Sequence, residues 1–220
     1  MVLVDCGGDV LQRAMAAALP LDELTALILT HEHADHVSGF PLFMEKLWLA
    51  GRRKPIPVHG PRSALAQAKR LFESFDTSGW EGLPTIEWHE VALKQGSVVL
   101  DDANWRITAA PGVHGVPVIG VRIEEQESGG VVAYSCDTER CESIAHLSSN
   151  ANVLVHEATG DFPGHSTADD AASIAAAAGA GRLLLVHLPS VSLLGDSAMA
   201  RAHRIFPQTE KGDELGTYSF

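Results

Sequence analysis

The chain has 220 residues, 45% hydrophobic and 20% charged, with a net charge of −12. That length is one domain or two fused half-domains, and the composition suffices for a substantial core. The acidic balance argues against non-specific nucleic-acid binding, and no apolar run reaches the roughly 18–20 residues that span a bilayer.

In chain order, "VLVD" (2–5) reads as a strand and "GDVLQRAMAAAL" (8–19) as a helix ended by Pro20. No basic or cleavable leader is visible in this opening, so a cytoplasmic protein is expected. "ALILTH" (26–31) is a buried strand. "FPLFMEKLWLAG" (40–51) is a helix with Pro41 in its first turn and Gly51 at its end. "IPVHG" (56–60) is a strand and "RSALAQAKRLFESF" (62–75) a helix. Residues 51–70 hold Arg52, Arg53, Lys54, Arg62, Lys69 and Arg70 and no acid, which is +6 against −18 for the remainder. This run is either a solvated face or a patch that steers a phosphate-bearing substrate.

The middle of the chain changes character. "TIEWHEV", "SVVLD", "WRITAAP", "VPVIGVRIEE" and "VVAYSCD" are strands divided by short turns, with "ESGG" (127–130) a hairpin turn. "NVLVHEA" (152–158) is a further strand. "TADDAASIAAAAGAG" (167–181) is a helix capped by Ser166 or Thr167 and closed by glycines. "RLLLVHL" (182–188) is a buried strand and "DSAMARAHRIF" (196–206) the last helix. Two sheets packed face to face with helices outside fit this order. Cys6, Cys136 and Cys141 are too few for a disulfide framework, and a reducing compartment is the simpler expectation.

The chemistry concentrates at strand ends, where α/β proteins place their sites. His31, His33, Asp35 and His36 fall within six positions after the strand 26–31. If the chain stays extended, His31 and His33 project to one side at period two. A turn at Ala34 then aims Asp35 and His36 at a second point, so one segment supplies two ligands to each of two metals. His114, Asp137 and His187 each follow another apolar run and precede a loop. A carboxylate among neutral imidazoles suits a bridge between cations. Alternation in the strand turns Cys136 away from Asp137 and Glu32 away from the ligands. His59, His89, His146 and His203 belong to no motif and read as ordinary structure.

"THEHADHVSG" resembles the HxHxDH motif of the metallo-β-lactamase fold superfamily. "PGVHG", "SCDT", "HEAT", "GHSTADDAASIA" and "LLLVHL" resemble its ribonuclease Z and phosphodiesterase branch, and the likeness spans nearly the whole chain. The resemblance implies an αβ/βα four-layer sandwich, two mixed β-sheets flanked by helices, forming a single hydrolase domain over residues 1–220. It implies two zinc ions, with manganese or iron an alternative in one site. His31, His33 and His114 would bind one, Asp35, His36 and His187 the other, and Asp137 would bridge them. Asp35 would orient the attacking water and accept its proton. His165, in "GHST", resembles the family histidine that protonates the leaving group; His156 and Glu157 would support the site through hydrogen bonds.

Two departures from that family narrow the expectation. Short ribonuclease Z enzymes insert a long RNA-gripping arm between the ligands matching His114 and Asp137. Here only 23 positions separate them, which favours a small or cyclic phosphodiester over transfer RNA, with RNA 3′-end cleavage kept open. Relatives also carry a strand pair before the segment matching "LVDCG", and a missing sheet edge would favour a homodimer. Competing expectations are a thioesterase or lactonase of glyoxalase type, and a non-catalytic metal-binding scaffold.

Overall fold

The computed structural model describes residues 1–189 and 194–220, in two compact units, Met1–Ala92 and Leu93–Phe220. In the first unit the strands are β1 (Val2–Val4), β2 (Ala26–Ile28), β3 (Ile56–Gly60) and β4 (Ile86–Glu90). The helices are α1 (Val10–Ala16), α2 (Ala34–Val37), α3 (Phe40–Leu49) and α4 (Arg62–Glu73). The sheet order is β1-β2-β3-β4, and every described pairing is parallel. Of two sheets expected to be mixed, this one is therefore parallel throughout. The cause is connectivity: helices lie between its successive strands, and such crossovers return the chain in the same direction. Leu27, Leu29, Val58, Phe40, Phe43, Met44 and Phe72 form its core.

The second unit holds β5 (Ser97–Asp101), β6 (Trp105–Pro111), β7 (Ile119–Glu125), β8 (Val131–Tyr134), β9 (Val153–Glu157), β10 (Leu183–Val186) and β11 (Thr209–Lys211). Its helices are α5 (Glu142–Leu147), α6 (Ala168–Ala178) and α7 (Asp196–Ile205). Here the sheet is mixed, in the order β11-β10-β9-β8-β7-β6-β5. The strands β5 to β8 form an antiparallel meander, with the expected turn (127–130) lying between β7 and β8, and β8 to β11 are parallel. The apolar runs of β9 and β10 suit strands buried on both faces. Helix α6 is alanine-rich, the best helix-forming composition, and lays Ala171, Ala172, Ile174 and Ala175 into the core. Thr167 and Asp170 form a reciprocal capping box at its start, and Gly179 closes it with φ +64°.

Helix α1 is shorter than expected, ending at Ala16, and α5 and β11 have no counterpart in the sequence reading. No disulfide joins Cys136 to Cys141. Among the described residues no helix is long and apolar enough to cross a membrane.

Candidate metal centre

In the first unit the strand β2 stops at Ile28, short of the histidines. Asp5, just past β1, takes over the hydrogen bonding. Its carboxylate accepts from Thr30 N (2.7 Å), Thr30 Oγ1 (2.8 Å) and His36 Nδ1 (2.8 Å). So His31 and His33 meet outside any strand, and period two is not what joins them. His31 Nε2 lies 3.1 Å from His33 Nδ1, and the His31 and His36 ring centroids are 4.0 Å apart. The expected turn at Ala34 is the one-turn helix α2, which presents Asp35 in its first turn and buries His36. His36 Nε2 is 3.5 Å from Asp35 Oδ2.

Glycine makes this crowding possible. A Cβ on Gly7 would sit 1.5 Å from Asp35 O, and the loop at Cys6 is laced to α2 by Cys6 N donating to His36 O (2.8 Å) and Ser38 Oγ to Gly7 O (2.8 Å).

The second unit gathers the other residues. Ligand atoms of His114, Asp137 and His165 all lie within 4.8 Å of one another, as do those of Glu157, His165 and His187. His187 Nε2 is 3.6 Å from Asp137 Oδ2. The His114 and His165 rings meet edge-on at 4.9 Å. Glu157, fully buried at the end of β9, holds this group together. Its Oε1 accepts from Thr138 N (2.9 Å), His165 Nδ1 (3.0 Å) and Ser166 N (3.2 Å), and its Oε2 from Thr159 N (2.9 Å). His156 is buried on the same strand, but its Nδ1 donates to the Glu157 carbonyl (2.8 Å), and burial pushes its pKa down. The side chain that reaches the site from "HEAT" is therefore the glutamate's.

The donor set fits a metal. Nδ1 of His36 bonds Asp5, Nδ1 of His114 bonds Gly164 O (2.7 Å) and Nδ1 of His187 bonds Thr159 Oγ1 (2.7 Å). Pinning one ring nitrogen to an oxygen is how metal-ligating histidines are oriented, and it assigns Nε2 as the coordinating atom. His31 Nε2 faces His33 Nδ1 at 3.1 Å and the His36 ring lies 4.0 Å from that of His31, a donor set that suits a cation. Asp5, Thr159 and Gly164 were not anticipated. Asp5 stands at a strand end like the other site residues, but the partners that give it a role, Thr30 and His36, are 25 and 31 positions away.

Backbone strain occurs at some of the same places, as it also does at Ala18, Asn150 and Leu215. Asp5 (φ +63°), Cys136 (φ +54°) and His187 (φ +48°) are left-handed non-glycine residues. Each follows a strand and is, or adjoins, a site residue. Cys136 lies beyond the end of β8 in this conformation, so strand alternation does not govern where its side chain points.

The histidines read as ordinary structure make local contacts. His59 stacks on its strand neighbour His89 at 4.7 Å, His146 pairs with Glu142 on α5, and His203 Nδ1 donates to Pro207 O. Most of the basic run is occupied locally. Arg52 and Arg53 donate to nearby carbonyls, Arg62 pairs with Glu90 and Lys69 with Glu73.

These features define a metallohydrolase. The sequence profile of the beta-lactamase superfamily domain matches residues 1–188. The ribonuclease Z of Methanothermobacter thermautotrophicus is 30% identical over 271 aligned positions, covering 98% of this chain and 86% of the relative. The metallo-β-lactamase fold protein YhfI from Bacillus subtilis superposes with a TM-score of 0.78 at 26% identity, over 98% of this chain and 85% of that one. The short form of human tRNase Z has the same fold, with a TM-score of 0.78 at 23% identity, over 99% and 87%. The chain belongs to the metallo-β-lactamase superfamily, in its ribonuclease Z-like branch, and is a metal-dependent hydrolase.

Proposed function

We propose that the two units form one dinuclear zinc phosphodiesterase domain. His31, His33 and His114 would hold one metal, Asp35, His36 and His187 the other, and Asp137 both. The observation that carries the phosphodiesterase reading is the clamp of Glu157 on His165. A thioesterase expels a thiolate, which leaves without a fixed acid, whereas an alkoxide leaving from phosphorus needs a proton; a lactone also expels an alkoxide, so a substrate panel is what separates lactones from phosphodiesters. A metal pair in such a site supplies an ionisable water near neutral pH and neutralises charge on the phosphate.

The chain's own residues would do the rest. Asp35, exposed on α2, would orient the attacking water and take its proton. His165, held at Nδ1 by Glu157, presents Nε2 to the leaving oxygen and delivers the proton there. Asp5 and Thr159 fix the rings of His36 and His187, so little reorganisation is left for the reaction itself. The short hairpin β7–β8 fills the interval between His114 and Asp137. It supports a small or cyclic phosphodiester as substrate rather than a transfer RNA gripped at a distance. Homodimerisation through the β1 edge is a further part of the proposal.

The test is a panel on metal-replete protein: bis(p-nitrophenyl) phosphate, cyclic nucleotides, a precursor transfer RNA, thioesters and lactones. The expected result is metal-dependent phosphodiester cleavage, lost in His33→Ala and Asp35→Ala. Protein loaded with metal, inert to every phosphodiester and active on thioesters or lactones, would sink the proposal. Efficient cutting of the precursor RNA would refute the small-substrate part.

A further inference from the structure

The turn that delivers His165 also carries a phenyl ring in water. Phe162 is 60% exposed, in a segment that is otherwise tied down. Phe162 N donates to Gly160 O (3.0 Å), His165 N to Phe162 O (3.0 Å), Gly160 N to Ser166 O (3.0 Å), and Gly164 N to Glu139 Oε1 (2.8 Å). The ring edge packs on Gly160, where a Cβ would lie 3.1 Å from Phe162 Cε2 and where φ is +132°. Val113, adjacent to His114, is 47% exposed. A glycine-rich turn of this kind is satisfied by small polar residues. A large ring left in solvent adds little to folding, because the hydrophobic contribution follows the area removed from water. Its placement three positions from the proton donor, on a hydrogen-bonded turn, fits a contact made with substrate.

We propose that Phe162 is a stacking platform for a planar unsaturated ring of the substrate, specifically the base of a nucleotide ester. This rests on the phosphodiesterase reading and extends it to a substrate class. A phenyl ring fixed by its backbone loses little freedom on contact, and every base offers a π-face. The enzyme would therefore discriminate base-bearing from base-free esters strongly, and one base from another weakly.

The experiment pairs thymidine 5′-(ethyl) phosphate with its abasic deoxyribose counterpart, neither carrying an aromatic leaving group, with cleavage followed by phosphorus NMR in metal-loaded wild type, Phe162→Ala, Phe162→Leu and Phe162→Trp. The expected result is a rise in KM of about 5- to 50-fold for Phe162→Ala on the base-bearing ester alone. The kcat stays within about twofold, Phe162→Trp retains the preference and Phe162→Leu loses most of it. A second arm follows binding of thymidine 5′-monophosphate and of deoxyribose 5-phosphate by NMR of ring-labelled phenylalanine. A Phe162 shift with the nucleotide only, absent in Phe162→Ala, supports the platform whether or not either ester is cleaved. Cleavage of both esters with an unchanged ratio in Phe162→Ala overturns the platform and leaves the phosphodiesterase reading standing. Cleavage of neither, with bis(p-nitrophenyl) phosphate and the cyclic nucleotides also inert, overturns that reading, and the NMR arm then decides the platform by itself. Loss of a dimer in Phe162→Ala with both esters unaffected would assign the ring to self-association and overturn the proposal.

Discussion

Replacing Glu157 with glutamine keeps the shape of the side chain and removes its charge. Hydrogen bonds to an ionised group contribute about 1.5–3 kcal/mol and neutral ones about 0.5–1.5. Three donors meet Oε1, from Thr138, His165 and Ser166, and one meets Oε2, from Thr159. With the amide oxygen in the Oε1 place, each of the three bonds weakens by about 1 kcal/mol. The amide nitrogen then faces the Thr159 N–H, donor against donor, at a cost of about 1–3 kcal/mol. A neutral amide is cheaper to bury than a carboxylate, which offsets part of this. The net expectation is about 2–4 kcal/mol of destabilisation, read as a lower urea midpoint of the metal-free chain. Activity should respond through His165. With an alkyl leaving group, which needs a proton, kcat should fall by about 10- to 100-fold. With p-nitrophenolate, which leaves unaided, it should fall by no more than about threefold. In a His165→Ala background the same substitution should no longer alter the ratio between the two leaving groups. Equal losses on both esters, or a ratio that still changes without His165, would refute the reasoning that Glu157 acts by positioning this imidazole.

Gly7→Ala drives a methyl group into Asp35 O and should destabilise the chain by about 2–4 kcal/mol while impairing zinc uptake; a thermal melt with and without zinc checks both. Asp5→Asn weakens the bond that orients His36, and zinc affinity should fall about 10- to 100-fold by competition with a chromophoric chelator. The pKa of His59 is pushed down to about 4, first by burial and then by the neighbouring His89. The unfolded chain binds this proton below about pH 6.5 and the folded chain does not until about pH 4, so the contribution is complete above pH 6.5 and is lost as pH falls toward 4. After discounting for solvent near the exposed His89, about 1–2 kcal/mol of acid sensitivity should vanish in His59→Phe, seen as a flatter stability profile between pH 7 and 4.

The candidate site was legible in the sequence because its residues are dense and local. Four ligand-type residues within six positions after a buried strand need no tertiary information, and the strand-end rule found His114, Asp137 and His187 one by one. Asp5 was not read because its role depends on the parallel pairing of β1 with β2, which brings residues 25 and 31 positions away to its carboxylate. Helix α5 has six residues, too few to display a period, and β11 has three and is fixed by pairing with β10. Extending the strand of residues 26–31 through His31 failed because Thr30 gives its N–H to an aspartate rather than to a neighbouring strand. The gap between sequence and structure is thus a matter of partners distant along the chain and of elements too short to show a period.

The left-handed backbone at His187 has a consequence for how this protein can change. An L-residue in that conformation costs roughly 1–2 kcal/mol more than glycine would. His187→Gly should therefore relieve strain in the metal-free chain while deleting a donor. The strain at this turn and the imidazole proposed to hold a metal are thus coupled: a sturdier metal-free chain at position 187 is expected to be a poorer metal binder.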